Sequence, residues 1–168
     1  GMKKAFFGNS GAEANECAIK CARKYAAGKY GADKRYKIVT LVNSFHGRTI
    51  TTLAATGQDE YHKDFQPLTP GFLYAPANDC DALKAIVESD EAIAAIMFEL
   101  VQGEGGVLPL EQDFVDCIAE ICMTKDILMV VDEVQTGNGR TGTLYAWQQY
   151  GITPDIMTTA KGLGGGLP

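Results

Sequence analysis

Lys161 stands in Thr158-Thr159-Ala160-Lys161-Gly162-Leu163-Gly164-Gly165-Gly166, between small residues and a glycine run, just after the apolar pair Ile156-Met157. A lysine in such surroundings can be desolvated, and desolvation lowers an amine's pKa. An amine that is partly neutral can attack a carbonyl and hold it as a Schiff base. The competing reading is a solvated charge at a strand end. Further reactive groups also close apolar runs. Asp132 ends Ile127–Val131 and leads into Glu133-Val134-Gln135, while Glu99 ends Ala92–Phe98 and is followed by Glu104 in Gln102-Gly103-Glu104-Gly105-Gly106. Phe45, His46 and Arg48 follow the run Lys37–Val42. Each has a plainer reading as well. Asp132 could be a buried turn carboxylate, Glu99 and Glu104 loop solvation, Phe45 a core plug and His46 a hydrogen-bonded loop residue.

The elements that must position these groups are legible in outline. Ser10 is a good N-cap, and Glu13 three residues later completes a capping box, so a helix is expected from Ser10 to about Ala27, ended by Gly28. Free N–H groups at its start, at Gly11 and Ala12, attract anions and phosphate above all. Apolar, β-branched runs predict strands at Lys37–Val42, Gly71–Ala75, Ala92–Leu100, Ile127–Gln135 and Ile156–Thr159, with a further short candidate at Ala5-Phe6-Phe7. Amphipathic helices are expected over Cys80–Ser89 and residues 111–125, and a short one over Leu144–Tyr150. Residues 57–71 read as an irregular connection. Strands with no wet face, alternating with helices, argue for an α/β fold: three α/β/α layers around a mostly parallel sheet. In such sheets ligands bind beyond the carboxyl ends of the strands, where all the groups above fall.

Composition narrows the function. The 168 residues are 46% apolar and 21% charged, with a net charge of −6. That suits one domain with a real core and argues against a general nucleic-acid binder, which shows a basic face. No apolar run of about 18 residues suggests a membrane span. No apolar h-region follows Met2-Lys3-Lys4, so no signal peptide is expected, and Gly1 reads as an expression scar. Five cysteines without a CxxC pair are expected to be reduced thiols of a cytosolic protein. His46 and His62 lack partners at ligand spacing, so no metal site is expected. Both ends look cut, and the chain is expected to be a piece of a longer protein.

Two nucleotide motifs fail on context. Gly137-Asn138-Gly139-Arg140-Thr141-Gly142 fits GxGxxG, but no long helix opens at its third glycine and it lies late in the sheet. Leu128–Glu133 resembles a metal-holding ATPase strand, but no GxxxxGK[ST] loop accompanies it. Pyridoxal phosphate chemistry uses all the strand-end groups together. It needs a lysine for the aldehyde, an acid for the ring nitrogen, an anion site for the phosphate and gains from an aromatic face.

Ser10-Gly11-Ala12-Glu13-Ala14-Asn15, Phe45-His46-Gly47-Arg48, Gln102-Gly103-Glu104-Gly105-Gly106, Asp132-Glu133-Val134-Gln135 and Ala160-Lys161-Gly162 together resemble the class III (ornithine-type) aminotransferases, pyridoxal-phosphate enzymes of fold type I. The resemblance covers essentially the whole chain, with the motifs in order, and is closest to the acetylornithine branch of that family. It implies that residues 1–168 are part of the cofactor-binding large domain, without an N-terminal segment and the C-terminal small domain. It implies transfer of the terminal amino group of N-acetylornithine to 2-oxoglutarate, in arginine biosynthesis, by a cytoplasmic homodimer. Ser10, Gly11 and Ala12 would hold the phosphate, Phe45 would stack on the ring with His46 beside it, and Asp132 would pair with the ring nitrogen. Gln135 would bond the phenolic oxygen, and Lys161 would form the Schiff base and shuttle the proton. Arg48 would grip a substrate carboxylate, and Glu99 and Glu104 match the family's acidic pair, with Glu104 as a switch. Leu100 departs from the proline of many relatives. The strand that in the family follows Lys161, and separates the last strand present from the one at Ala5, is not in the sequence, so Ala5–Phe7 is expected to lack a sheet neighbour. The chain alone is expected to be inactive. Ornithine, succinyldiaminopimelate and 4-aminobutyrate remain open as amino donors, and a non-catalytic fragment or scaffold is the alternative of a different class.

Overall fold

In the computed structural model, residues 2–167 are described, so the expression-scar reading of Gly1 and the end at Pro168 lie outside them. Five parallel strands form the central sheet: β1 (Lys37–Leu41), β2 (Phe72–Ala75), β3 (Ile93–Phe98), β6 (Leu128–Asp132) and β7 (Ile156–Thr158), in the order β2-β1-β3-β6-β7. Two short strands, β4 (Val101–Gln102) and β5 (Leu108–Pro109), make a separate antiparallel hairpin around the glycine turn that follows β3. Every residue of β3 is buried, as expected of a central strand covered on both faces. Its side chains alternate between layers. Ala95 and Met97 join Ile38 and Val130 beneath α1 (Gly11–Tyr30), whereas Ile96 and Phe98 join Val39, Met129 and Val131 on the opposite face. That second face is covered by α4 (Cys80–Ser89) and α5 (Gln112–Lys125), giving the three α/β/α layers.

α1 buries a stripe of Asn15, Ala18, Ile19, Ala22 and Ala26, spaced one helical turn apart, and lies across β3, β6 and β7. The small alanines bring its axis close to the sheet. Ser10 caps it, its Oγ accepting the Glu13 N–H at 3.2 Å, while the Glu13 carboxylate reaches back to the Asn9 N–H at 2.6 Å. The helix runs past the expected stop at Gly28, where a side chain would meet open space, and ends before Gly31.

Four other expectations change. Ala5-Phe6-Phe7 forms no strand: no neighbour pairs with it among the described residues, and Phe6 and Phe7 are exposed. Two short helices, α2 (Ile50–Ala55) and α3 (Asp59–His62), fill the path between β1 and β2, and Leu144–Tyr150 contributes only a 3₁₀ turn at Ala146–Gln148. Cys80 and Cys117 are joined by a disulfide, so the reading of five reduced thiols is corrected to three free ones. The packing of α4 on α5 places their Cα atoms 6.2 Å apart, inside bridging range.

The chain leaves β1 toward β2 on one side of the sheet, while β3, β6 and β7 extend the other. The strand order therefore reverses between β1 and β3, and a crevice opens beyond their carboxyl ends.

Candidate active site

A cleft of about 560 Å³ lies at that reversal. It gathers all the residues singled out in the sequence: Ser10, Gly11 and Ala12 from the start of α1, Phe45, His46 and Arg48 after β1, Glu99 and Glu104 after β3, Asp132 and Gln135 at the end of β6, and Lys161 after β7.

Asp132 is the best anchored of them. It is buried, and its Oδ2 accepts from Asn15 Nδ2 at 2.7 Å and pairs with His46 Nδ1 at 2.8 Å, while Oδ1 accepts the Val134 N–H at 2.9 Å. A carboxylate has about four lone-pair positions, so one remains for a ligand. Asn15 also donates to the His46 carbonyl at 2.7 Å, which fixes α1 against the loop after β1. Burial by itself would favour neutral His46. The hydrogen bond to Asp132 and the charges of Asp132 and Glu99 outweigh it, and the His46 pKa is raised. Asn15 Oδ1 and His46 Nε2 are buried without a partner among the described residues.

Glu99 is buried too. Burial, with the Asp132 charge adding to it, pushes its carboxyl up to about 7 against the His46 charge and the N–H groups of Phe45 and Gly103. The Phe45 bond is 2.9 Å long.

The outer wall is aromatic and cationic. Phe45 meets Tyr61 edge-on at 5.4 Å, and the Arg48 guanidinium lies 5.6 Å from the first ring and 5.7 Å from the second. The Tyr61 hydroxyl donates to Glu104 at 3.1 Å. Two glycines lie at close approaches, Gly47 against packed Thr52 and Gly103 against the movable end of Gln135. Gly47 has φ +138°, and a Cβ there would fall 2.5 Å from Thr52 Oγ1; a Cβ on Gly103 would fall 2.3 Å from Gln135 Oε1.

Lys161 departs from expectation. It lines the cleft but is exposed, on a short 3₁₀ turn (Lys161–Gly164) at its rim, so the desolvation suggested by its small neighbours is not provided by the residues around it. Two contributors escaped the sequence reading. Asn15 carried a signal, as the one polar residue on an otherwise small apolar stripe. Tyr61 carried none, since it sits in a segment read as irregular.

The family described as Aminotransferase class-III matches residues 1–168. The chain is 58% identical over 165 residues to the acetylornithine aminotransferase of Caldanaerobacter subterraneus subsp. tengcongensis, covering 98% of this chain and 41% of that protein. It is 57% identical over 168 residues to that of Haemophilus ducreyi, covering 100% of this chain and 42% of the relative. The chain thus spans about two fifths of the length of these curated relatives. Among solved structures, an (S)-enantioselective omega-transaminase from Thermomicrobium roseum superposes with a TM-score of 0.91 at 39% identity, over 96% of this chain and 40% of that one. The ornithine aminotransferase from Toxoplasma gondii, described with partial occupancy of PLP at its active site, gives 0.90 at 37% identity, over 96% of this chain and 38% of that one.

Proposed function

Because the chain belongs to the class III aminotransferases, we propose that its protein moves the terminal amino group of N-acetylornithine, or a close ω-amino acid, to 2-oxoglutarate with pyridoxal phosphate. We take residues 1–168 as part of the cofactor-binding large domain of a homodimer, and arginine biosynthesis as the pathway. The observation that carries this reading is the meeting of an amine, a buried acid and an open helix start in one cleft: Lys161, Asp132 and Gly11-Ala12.

The residues present fit the cofactor. Helix geometry leaves the Gly11 and Ala12 N–H groups without intrahelical acceptors, beside the Ser10 hydroxyl, as a phosphate site requires. Phe45 offers a ring face and Asp132 a free lone pair, with Asn15 and His46 buried behind it. When bound, pyridoxal phosphate supplies an aldehyde for the amino group and a ring that draws electron density from the substrate carbon. Asp132 keeps a proton on the group it faces, and Asn15 and His46 hold Asp132 in place. Gln135 would donate its amide N–H to the cofactor's phenolic oxygen. Lys161 Nζ would be the amine that holds the cofactor's aldehyde, and it would hold and move a proton as general acid and base. Arg48, presented by Phe45 and Tyr61, binds a substrate carboxylate, and Glu104 acts as the switch between amino donor and keto acid.

The full-length protein given pyridoxal phosphate should show visible absorption that is lost in Lys161→Ala. Adding N-acetylornithine should bleach it, with ornithine, succinyldiaminopimelate and 4-aminobutyrate as comparison donors. No response to N-acetylornithine removes that donor, and no lysine-dependent absorption makes the chain a scaffold. Sedimentation tests the homodimer. The cytoplasm is the compartment we propose; the Cys80–Cys117 bridge stands against it. Alkylation of the unfolded chain should then modify three cysteines before reduction and five after it if the bridge is kept, and five at once if the compartment reduces it.

A further inference from the structure

The glycine-rich stretch 137–142, which fails as a nucleotide motif, lies against the segment that carries Lys161. Asn138 is half-buried in it and adopts φ +58°, a left-handed conformation that asparagine accepts more readily than most residues. Its Nδ2 donates twice, to Thr159 Oγ1 at 3.1 Å and to the Ala160 carbonyl at 2.9 Å. These are the two residues that lead into Lys161. Among the described residues no other side chain bonds to residues 159–161. Among the described residues the backbone beyond them is held by short turns, Leu163 N–H to Ala160 O at 3.1 Å, Gly165 N–H to Gly162 O at 3.2 Å and Leu167 N–H to Gly164 O at 3.1 Å. Lys161 itself has φ +51°, a conformation that a residue with a side chain keeps only when its surroundings impose it.

We infer that Asn138 is the positioning residue of Lys161: its carboxamide ties Thr159 and Ala160 so that the turn delivers the lysine amine into the cleft that Asp132 closes. The inference rests on the Schiff-base role proposed for Lys161. A purely conformational role is separable from it. Glycine and aspartate both accept the left-handed backbone, and neither can donate the two hydrogen bonds.

The test uses the full-length protein with Asn138→Gly and Asn138→Asp, loaded with pyridoxal phosphate. Three quantities are read: the rate at which absorption develops, the pH midpoint of that absorption, and the fraction of cofactor locked to the chain by borohydride, measured by mass. Hydrogen exchange of residues 159–163 without cofactor supplies a fourth. Both variants are expected to slow capture by about tenfold to a hundredfold, the scale of loss when a reacting group is misplaced by about an ångström. They should also shift the pH midpoint and quicken exchange at 159–163, with thermal unfolding close to wild type. Wild-type capture and an unmoved midpoint in both variants overturn the role of Asn138. Wild-type protein without Lys161-dependent absorption overturns the lysine's role instead, and the inference with it.

Discussion

Glu99, His46 and Asp132 bring three ionisable groups together where water is scarce, and the protons of Glu99 and His46 respond to burial and to the charges beside them. Both shifts in this group carry the same sign for stability. Glu99 holds its proton up to about 7 in the fold, against an ordinary value of 4.5, so an unfolded chain releases that proton first. Stability therefore falls as pH rises across that window and is level above it. His46, its pKa raised above 6.5, contributes stability that is complete below 6.5 and is lost as pH climbs through the folded value. Glu99→Gln should remove the first slope. Denaturant unfolding at pH 5 and pH 8 should show the variant gaining on wild type by ~3 kcal/mol over that interval, since one proton costs about 1.4 kcal/mol for each pH step of one across the window. A difference that does not change with pH would assign the raised proton to another group. Asn15 tests the same cluster from the neutral side. Asn15→Leu keeps the branched outline but withdraws the donor shared by Asp132 and the His46 carbonyl, and leaves two buried acceptors short. We expect a loss of about 2–4 kcal/mol in chemical denaturation.

Among the elements, what could be read from sequence was what burial dictates. β3 and β6 are covered on both faces, so each is a continuous apolar run that stops sharply at a carboxylate, Glu99 or Asp132. The first polar residue after such a run marks the sheet's functional edge. The start of α1 was equally plain, because its cap is local: Ser10 and Glu13 are three residues apart. Elements held by tertiary packing were not plain. α2 is Ile50-Thr51-Thr52-Leu53-Ala54-Ala55, with three β-branched residues in six, and the β4–β5 hairpin has two residues per strand. The Asn15–Asp132 bond joins residues 117 apart, beyond any periodicity, and the Cys80–Cys117 bridge depends on how two helices pack. The hairpin has a task of its own, since Gly103 lets the Gln135 amide pass over its backbone. Gly103→Ala places a methyl group where that amide lies. Gln135 is flexible enough to move, so stability should stay within about 1 kcal/mol of wild type. Cofactor affinity, measured by titration of the visible absorption, should fall about tenfold, the worth of one hydrogen bond. Unchanged affinity would remove Gln135 from the cofactor's partners.

For the molecule as a whole, size and chemistry point to opposite ends of the sheet. A groove of about 760 Å³ lies at the amino ends of the strands, lined by Tyr30, Arg35, Val87, Asp90 and Lys125 among others, and is larger than the cleft of about 560 Å³. Its inner charges, Asp90 and Arg35, already have partners, and its other charged residues, Lys34, Glu88, Glu91 and Lys125, are exposed to water. Lys37 pairs with Asp90 at 2.5 Å, and Arg35 donates to the carbonyls of Lys125 and Asp126 at 3.1 and 3.0 Å, closing the end of α5. The smaller cleft keeps the open start of α1 and a spare lone pair on Asp132. A ligand gains free energy where polar groups lack partners, so the cleft should win despite its volume. The five strands form one sheet, but binding should protect only one end of it. Adding pyridoxal phosphate to the full-length protein should slow hydrogen exchange at residues 10–14, 44–48, 132–135 and 159–163. Residues 30–35, 87–93 and 125–127 should exchange as before. Protection at those latter segments, with none at the former, would move the binding site to the opposite edge and leave Lys161 and Asp132 as ordinary strand-end residues.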